Sequence, residues 1–517
     1  MRHYVKPLIL AAGLAAFAAA ADANTLRFAE GQDINSMDPH AARDDFALSL
    51  LCNVYEGLVR WNADLEIEPA LAESWEAISD TEWRFHLRKD VTFHNGNPFT
   101  ADDVIFSYHR AGDAGSPFAG LLEPIAEVVK VDDYTVDFKL KRKYALVLND
   151  FAGWYIMDKE FQEEIGSTTP LDLSSNAGGA MQTMANGTGP FKLVERQPDV
   201  KTVLAANPDW WDEKKHNLDE IVYTPISNNA TRVAALLSGE VDFIRNAPPQ
   251  DIDRIEATPG MKVMRGPHLR TIFFGMDQQS DTLPGSGVEG NPLKDVRVRK
   301  AIAMAMDVEG IKRSIMRGNS NPVATQLAPQ MPFYDPALEE PIPFDPEGAK
   351  ALLAEAGYGP DKPLKLTLQY NTDENHKKIA VAAQQFYKQI GVQIELNNVE
   401  WKVHTDRMQS QDFQMARYAW CADYNEASTF LDYFRTTGMN YGKYSNPEFD
   451  KLMDQSKTSA DPNQQYTAAE KILAEDMPLV PIYQYAKVDM IRDDIKGLPT
   501  ENVMNDWYAK DIYRIQK

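Results

Sequence analysis

The sequence predicts an α/β protein built as more than one lobe, and three observations predict it. The roughly 490 residues that follow an amino-terminal leader exceed what one hydrophobic core usually supports, so two or three lobes are expected. The stretch from Leu364 to Trp401 reads as strand, helix, strand, the unit from which parallel sheets are built. Short alternating runs nearer the amino end read as half-buried strands of a mixed, partly antiparallel region.

The first segment, "MRHYVKPLILAAGLAAFAAAADA", carries Arg2 and Lys6 ahead of an apolar run from Leu8 and ends on the small-residue signal Ala21-Asp22-Ala23. It reads as a secretory leader over residues 1–23 rather than a membrane span, so the mature chain is expected to start at Asn24. The residue directly after the cleavage site is not a cysteine, and no later stretch has eighteen unbroken apolar residues. An exported product without a lipid anchor is expected.

"WRFHLR" (Trp83 to Arg88) and "YTVDFKL" (Tyr134 to Leu140) alternate as strands. Between them, "FTADDVIFSYHR" places Thr100 to cap a helix, with Asp102 and Asp103 at its positive end. "GTGPFKL" (Gly187 to Leu193) is glycine-rich, but it leads into a strand rather than a helix, so it is a turn and not a phosphate cradle. "DVRVRKAIAMAMDVEGIKRSIM" (Asp295 to Met316) is helix-rich and placed to cover a later sheet. That sheet begins with "LKLTLQYN" (Leu364 to Asn371) and "VQIELNNVEW" (Val392 to Trp401), joined by the helical spacing of "HKKIAVAAQQFYKQIG" (His376 to Gly391).

The segment "RYAWCADYNEASTFL" (Arg417 to Leu431) follows. If extended, it puts Arg417, Ala419, Cys421 and Asp423 on one face and Tyr418, Trp420 and Ala422 on the other. Arg417 and Asp423 then lie about 20 Å apart, too far to pair with each other. Each is left to hold something else, at the carboxyl ends of strands where open α/β sheets bind ligands.

Composition and motifs narrow the function. Fifty-three basic against 76 acidic residues give a net charge of −23, which repels nucleic acid and anionic membrane surfaces. Cys52 and Cys421 are the only cysteines; an oxidising compartment permits one bridge between them, but the sequence does not say that they meet. The nine histidines make no His-x-x-x-His pair, and neither a Gly-x-Ser-x-Gly nor a Gly-x-x-x-x-Gly-Lys-Ser/Thr motif is present. No cofactor or metal is expected. Asp102 and Asp103 are better read as capping residues than as an acid and base. The weight falls on binding.

"NGNPFTADDVIFSYHR", "GTGPFKL", "NPLKDVRVRKAIAMAMD" and "WCADYNEASTFL" together resemble the recurring segments of bacterial extracellular solute-binding proteins of family 5, the dipeptide and oligopeptide class that serves ABC transporters. The resemblance implies a type II-like periplasmic binding protein of two lobes and three domains, with a hinge and an interlobe cleft. It implies domain I at Asn24–Tyr55, Gly187–Ser280 and Ile491–Lys517, domain II at Glu56–Asn186, and domain III at Asp281–Met490. The implied partners are a short peptide and an inner-membrane ABC permease, and the implied state is a periplasmic monomer without catalytic residues. A binder of another amine-bearing solute, such as a murein peptide or an opine, is the alternative, with a secreted enzyme further off.

The resemblance also implies roles. Asp423 matches an aspartate that pairs with the ligand's α-ammonium, a role that fits the cost of burying an unpaired carboxylate; a turn residue beside Asn425 is the other reading. Arg417 and His376 match groups that face the ligand's carboxylate, and His376, at a helix start, is expected to be exposed to the cleft. Trp401 and Trp420 match aromatics that wall side-chain pockets, and Cys421 and Ala422 belong to the same ligand-contacting segment. Three departures stand out. Arg43, beside Asp44, occupies the place of a glutamate near the ligand's amino end. Phe118, in Ser116-Pro117-Phe118, keeps the ring of a tyrosine without its hydroxyl. The cysteine matching Cys421 has a bridge partner within its own lobe in the nearest relatives, whereas here only Cys52 is left to offer one.

Overall fold

In a computed structural model of the chain, the structure describes residues 24–41, 45–62, 66–173, 178–285, 290–325, 327, 340–421, 426–438, 440–459, 461–498 and 508–515. Among the described residues, two sheets dominate. The smaller runs in the order Ala72–Ser79, Glu82–Leu87, Thr135–Leu140, Ile125–Asp132. All its pairings are antiparallel, where the sequence suggested a mixed region. Its core gathers Phe85, Phe138, Phe151 and Trp154. Helix α1, Ala101–Ala111, begins where Thr100 was expected to cap it: the hydroxyl accepts from the Asp102 N–H (3.3 Å), and the Asp103 carboxylate accepts from the Thr100 N–H (2.8 Å).

The larger sheet has eleven strands, numbered here in chain order: β1 Thr25–Glu30, β2 Phe191–Gln197, β3 Lys201–Ala206, β4 Glu220–Pro225, β5 Phe243–Ile244, β6 Met261–Met276, β7 Ser320–Asn321, β8 Leu364–Asn371, β9 Val392–Val399, β10 Met415–Cys421 and β11 Leu479–Arg492. They lie side by side as β9-β8-β10-β6-β11-β5-β1-β4-β3-β2, with β7 on β11. The expected unit is present: β8 and β9 pair in parallel along their length, joined by helix Glu374–Gln389. The stretch from Asp295 to Met316 divides into Val296–Met304 (α2) and Val308–Ser314 (α3). Asp307 separates them because its side chain accepts from the Gly310 N–H and starts a new helix (2.7 Å). Both helices bury their apolar faces with Leu364, Leu366 and Leu368 of β8. The helix Glu374–Gln389 is α4, and Trp401–Ser410 is α5.

Two cores share this sheet. One contains Leu26, Phe28, Tyr223, Phe243 and Ile491, the other Ile272, Phe274, Leu368 and Tyr387. Strand β6 serves both, giving Met264 to the first and Ile272, Phe274 and Met276 to the second. Between those two halves its register against β11 shifts from Pro267 to Thr271. Strands β6 and β11 are therefore a continuous antiparallel ribbon that changes core partner at an irregularity.

Glycine is required where "GTGPFKL" crosses the chain near Val54. A Cβ on Gly187 would stand 2.0 Å from the Val54 carbonyl oxygen, and the Gly189 N–H donates to that same oxygen (3.0 Å). The segment then enters β2, as the turn reading expected. Nearby, the Trp210 and Trp211 indoles donate to the buried Glu56 carboxylate (3.3 and 2.8 Å), and the Arg88 guanidinium lies 4.2 Å from the centre of the Trp211 ring. These contacts fasten the smaller sheet to the first core. Opposite them, Trp61 and Leu121 pack against both the small sheet's core and a third apolar cluster containing Phe273, Phe430 and Tyr433. No helix among the described residues is long and apolar enough to cross a membrane.

Candidate functional site

Strand β10 shows the alternation expected of it. Ala419 packs with the Ile272 and Phe274 core, whereas Tyr418 and Trp420 pack with Phe273 and Tyr433 on the opposite face. Its neighbour β8 runs parallel to it, yet the two pair only at Leu368–Met415 and Gln369–Ala416. Beyond those pairs β8 stays with β9 and β10 stays with β6. The two strands therefore part at their carboxyl ends, the usual place for a ligand in such a sheet.

Arg417 is the first residue past the split. It is 8% exposed, and among the described residues its side chain makes no hydrogen bond or ion pair, with Nε buried and unpartnered. Burial, with Arg270 adding to it, pushes the guanidinium down to about 10 against smaller opposing effects from Tyr483 and Asp373, so it remains charged at neutral pH. A buried cation without a counter-charge is costly, and a carboxylate docking against it recovers that cost.

Two histidines flank it, both neutral. His404 is 1% exposed; its Nε2 lies 3.0 Å from the Arg417 carbonyl oxygen and its Nδ1 3.1 Å from the Gln369 amide nitrogen. A carbonyl only accepts and an amide NH2 only donates, which fixes the proton on Nε2. Burial holds this imidazole down to about 4, with Arg417 adding to the effect. His376 lies in the first turn of α4, whose cap, Asp373, accepts from the His376 N–H (3.0 Å). It is half-buried, with 16% of its side chain accessible and Nδ1 3.8 Å from the Asp373 carboxylate. Burial first, then Arg417, pushes it down to about 3. Where the strands part, the Arg417 cation thus lies beside two uncharged imidazoles.

The other expected residues divide. Trp401 opens α5, is 58% exposed and stacks on His404 with ring centres 5.9 Å apart. Trp420 is half-buried against Tyr433 (5.1 Å between ring centres) and donates to the Thr429 carbonyl (2.7 Å). Cys421 is a half-buried thiol outside any disulfide, 3.9 Å from His268 Nδ1 and directly opposite Arg270 in the β6–β10 register. Cys52 is likewise outside any disulfide, buried in the first core. Phe118 was expected at the ligand, but its ring is 1% exposed, in the small sheet's core and beside His40. The turn explains this: Ser116 Oγ donates to the His40 carbonyl (2.9 Å) and accepts from the Phe118 N–H (3.1 Å), which directs the ring inward. Arg43, Ala422 and Asp423 lie outside the described residues.

His404, Gln369 and Arg270 were not foreseen as site residues. The only sequence signal for His404 is its helical spacing three residues after Trp401. A carboxylate cluster of Asp103, Asp158 and Glu160 lies elsewhere. Its Asp158 Oδ2 already accepts from the amides of Asn95, Asn97 and Asn186 (2.9, 2.9 and 2.7 Å), which marks it as a structural knot.

Against this geometry, known proteins give a consistent comparison. The profile of "Bacterial extracellular solute-binding proteins, family 5 Middle" matches residues 66–442. The chain is 31% identical to the periplasmic murein peptide-binding protein MppA of Escherichia coli, over 93% of this chain and 91% of that one. It is 30% identical to the periplasmic oligopeptide-binding protein OppA of the same organism, over 98% and 95%. Among solved structures it resembles the E. coli murein tripeptide-binding protein MppA, with TM-score 0.80, 30% identity and coverage of 96% and 99%. It also resembles Haemophilus influenzae OppA in complex with RPPGFSPFR, with TM-score 0.78, 27% identity and the same coverage.

Proposed function

The chain belongs to the bacterial extracellular solute-binding proteins of family 5, and from that premise we propose that it captures short peptides in the periplasm for import by an inner-membrane ABC permease. Its relatives include binders of oligopeptides and of murein peptides. The observation that carries the reading to this chain is Arg417, a buried guanidinium without a side-chain partner among the described residues, at the point where two parallel strands part. A free peptide brings a carboxylate to it. Asp423 takes the peptide's ammonium, and the intervening backbone lies extended along exposed strand edges, a mode that tolerates many side chains. Trp401 and Trp420 line the space left for them. Mass spectrometry of material released from the purified protein by denaturation tests this. A ladder of short peptides is expected; one non-peptide compound, or nothing, overturns it.

A further inference from the structure

Where backbone pairing between β8 and β10 stops, side chains take over. The last paired position is Gln369–Ala416, and the next residue on β10 is Arg417, whose carbonyl has lost its neighbour on β8. The His404 imidazole from α5 fills that place, donating through Nε2 to the Arg417 carbonyl (3.0 Å) while Nδ1 accepts from the Gln369 amide (3.1 Å). Gln369 is in turn held through Oε1 by Arg407 Nη1 of α5 (3.3 Å). Both inner members are buried, His404 at 1% and Gln369 at 2% exposure. The chain Arg407–Gln369–His404–Arg417 therefore spans the split from helix to strand, each polar atom in it having one possible role.

We propose that His404 is a positioning residue for ligand recognition: with Gln369 it forms a wedge that keeps the β8–β10 split open and fixes the strand end from which Arg417 reaches the ligand's carboxylate. The proposal rests on the peptide-binding reading above. Arg417 makes no side-chain hydrogen bond among the described residues, so none of those residues orients its tip. Its backbone is held by β6 on one side, and His404 supplies the hold on the side that β8 has left. Trp401, stacked on the same imidazole, is placed by it as well. A wedge of fixed protonation state, neutral because it is buried, adds no charge to compete for the carboxylate.

Calorimetry with trialanine and trialanine carboxamide on wild type, His404→Ala and His404→Gln separates the possibilities. Glutamine restores a donor at the reach of Nε2; alanine does not. Wild type should prefer the free acid by about tenfold or more. His404→Ala should shrink that preference by about fivefold while its affinity for the amide moves by less than about twofold, and His404→Gln should recover most of the preference. If wild type is indifferent to amidation, the carboxylate reading itself fails. If wild type discriminates and alanine preserves the ratio, that reading stands and the wedge is wrong. An equal loss for both ligands in both variants assigns His404 to general stability and also overturns the proposal.

Discussion

Arg417 shows how one residue carries chemistry because the fold spends stability on it. A guanidinium that is 8% exposed and makes no ion pair among the described residues is costly, and a ligand carboxylate offsets that cost with charge-assisted hydrogen bonds. Asp423 is the complementary case at the amino end. Asp423→Asn should weaken a free tripeptide by about 2 to 5 kcal/mol and leave the N-acetylated form nearly unchanged. The four affinities make a double-mutant cycle whose coupling term isolates the contact; if both proteins favour the free peptide by one factor, Asp423 is a turn residue. Arg417 was legible in the sequence, because alternation along β10 and the surrounding aromatics single it out. His404 was not, since its role depends on where a ladder of backbone pairs ends, and register leaves no mark on composition. Phe118 misled for a local reason: the Ser116 hydroxyl closes a turn that points the ring into the core.

At the scale of elements, periodicity was a sound guide wherever packing and spacing agree. The β8, α4, β9 unit and the Thr100 cap are where the sequence put them, because a parallel strand buried on its faces and an amphipathic helix each impose their own period. The long ribbon was harder to read. β6 and β11 span 16 and 14 residues, and they change core partner without a break in the strand, so lobe boundaries sought near Ser280 and Met490 have no punctuation to find. The register of β6 against β10 also makes a sharp demand. Arg270 and Cys421 stand directly opposite each other, and such pairs bring Cβ atoms to about 4.5–5.5 Å, a small adjustment from disulfide geometry. Arg270→Cys should therefore oxidise to a bridge with Cys421. Thiol titration after denaturation without reductant should count two thiols in wild type and one, Cys52, in the variant. Three would show that the two positions do not face each other.

For the whole molecule, the contacts divide into fixed and movable. Glu56, Trp210, Trp211 and Arg88 bind the small sheet to the first core through buried hydrogen bonds and a stacked guanidinium. Among the described residues the β6–β11 ribbon is what joins these to the second core, so we place the hinge at the register shift between Pro267 and Thr271. In this structure Trp61 and Leu121 already pack on the cluster around Tyr433, so opening about that hinge breaks an apolar contact that in the closed form adds to whatever the ligand contributes. Small-angle scattering should show a smaller radius of gyration with a bound tripeptide than after ligand is stripped; no change would mean that the lobes do not move. The same ribbon governs how the molecule comes into being. β5 pairs with β11 through Phe243–Ile491 and Ile244–Met490, partners about half the chain apart. Pairing across so long a loop is slow. A polypeptide threaded through the inner membrane amino end first thus cannot complete its first sheet until nearly all of it has emerged, and the delay that slows its folding also keeps it pliable enough to be exported.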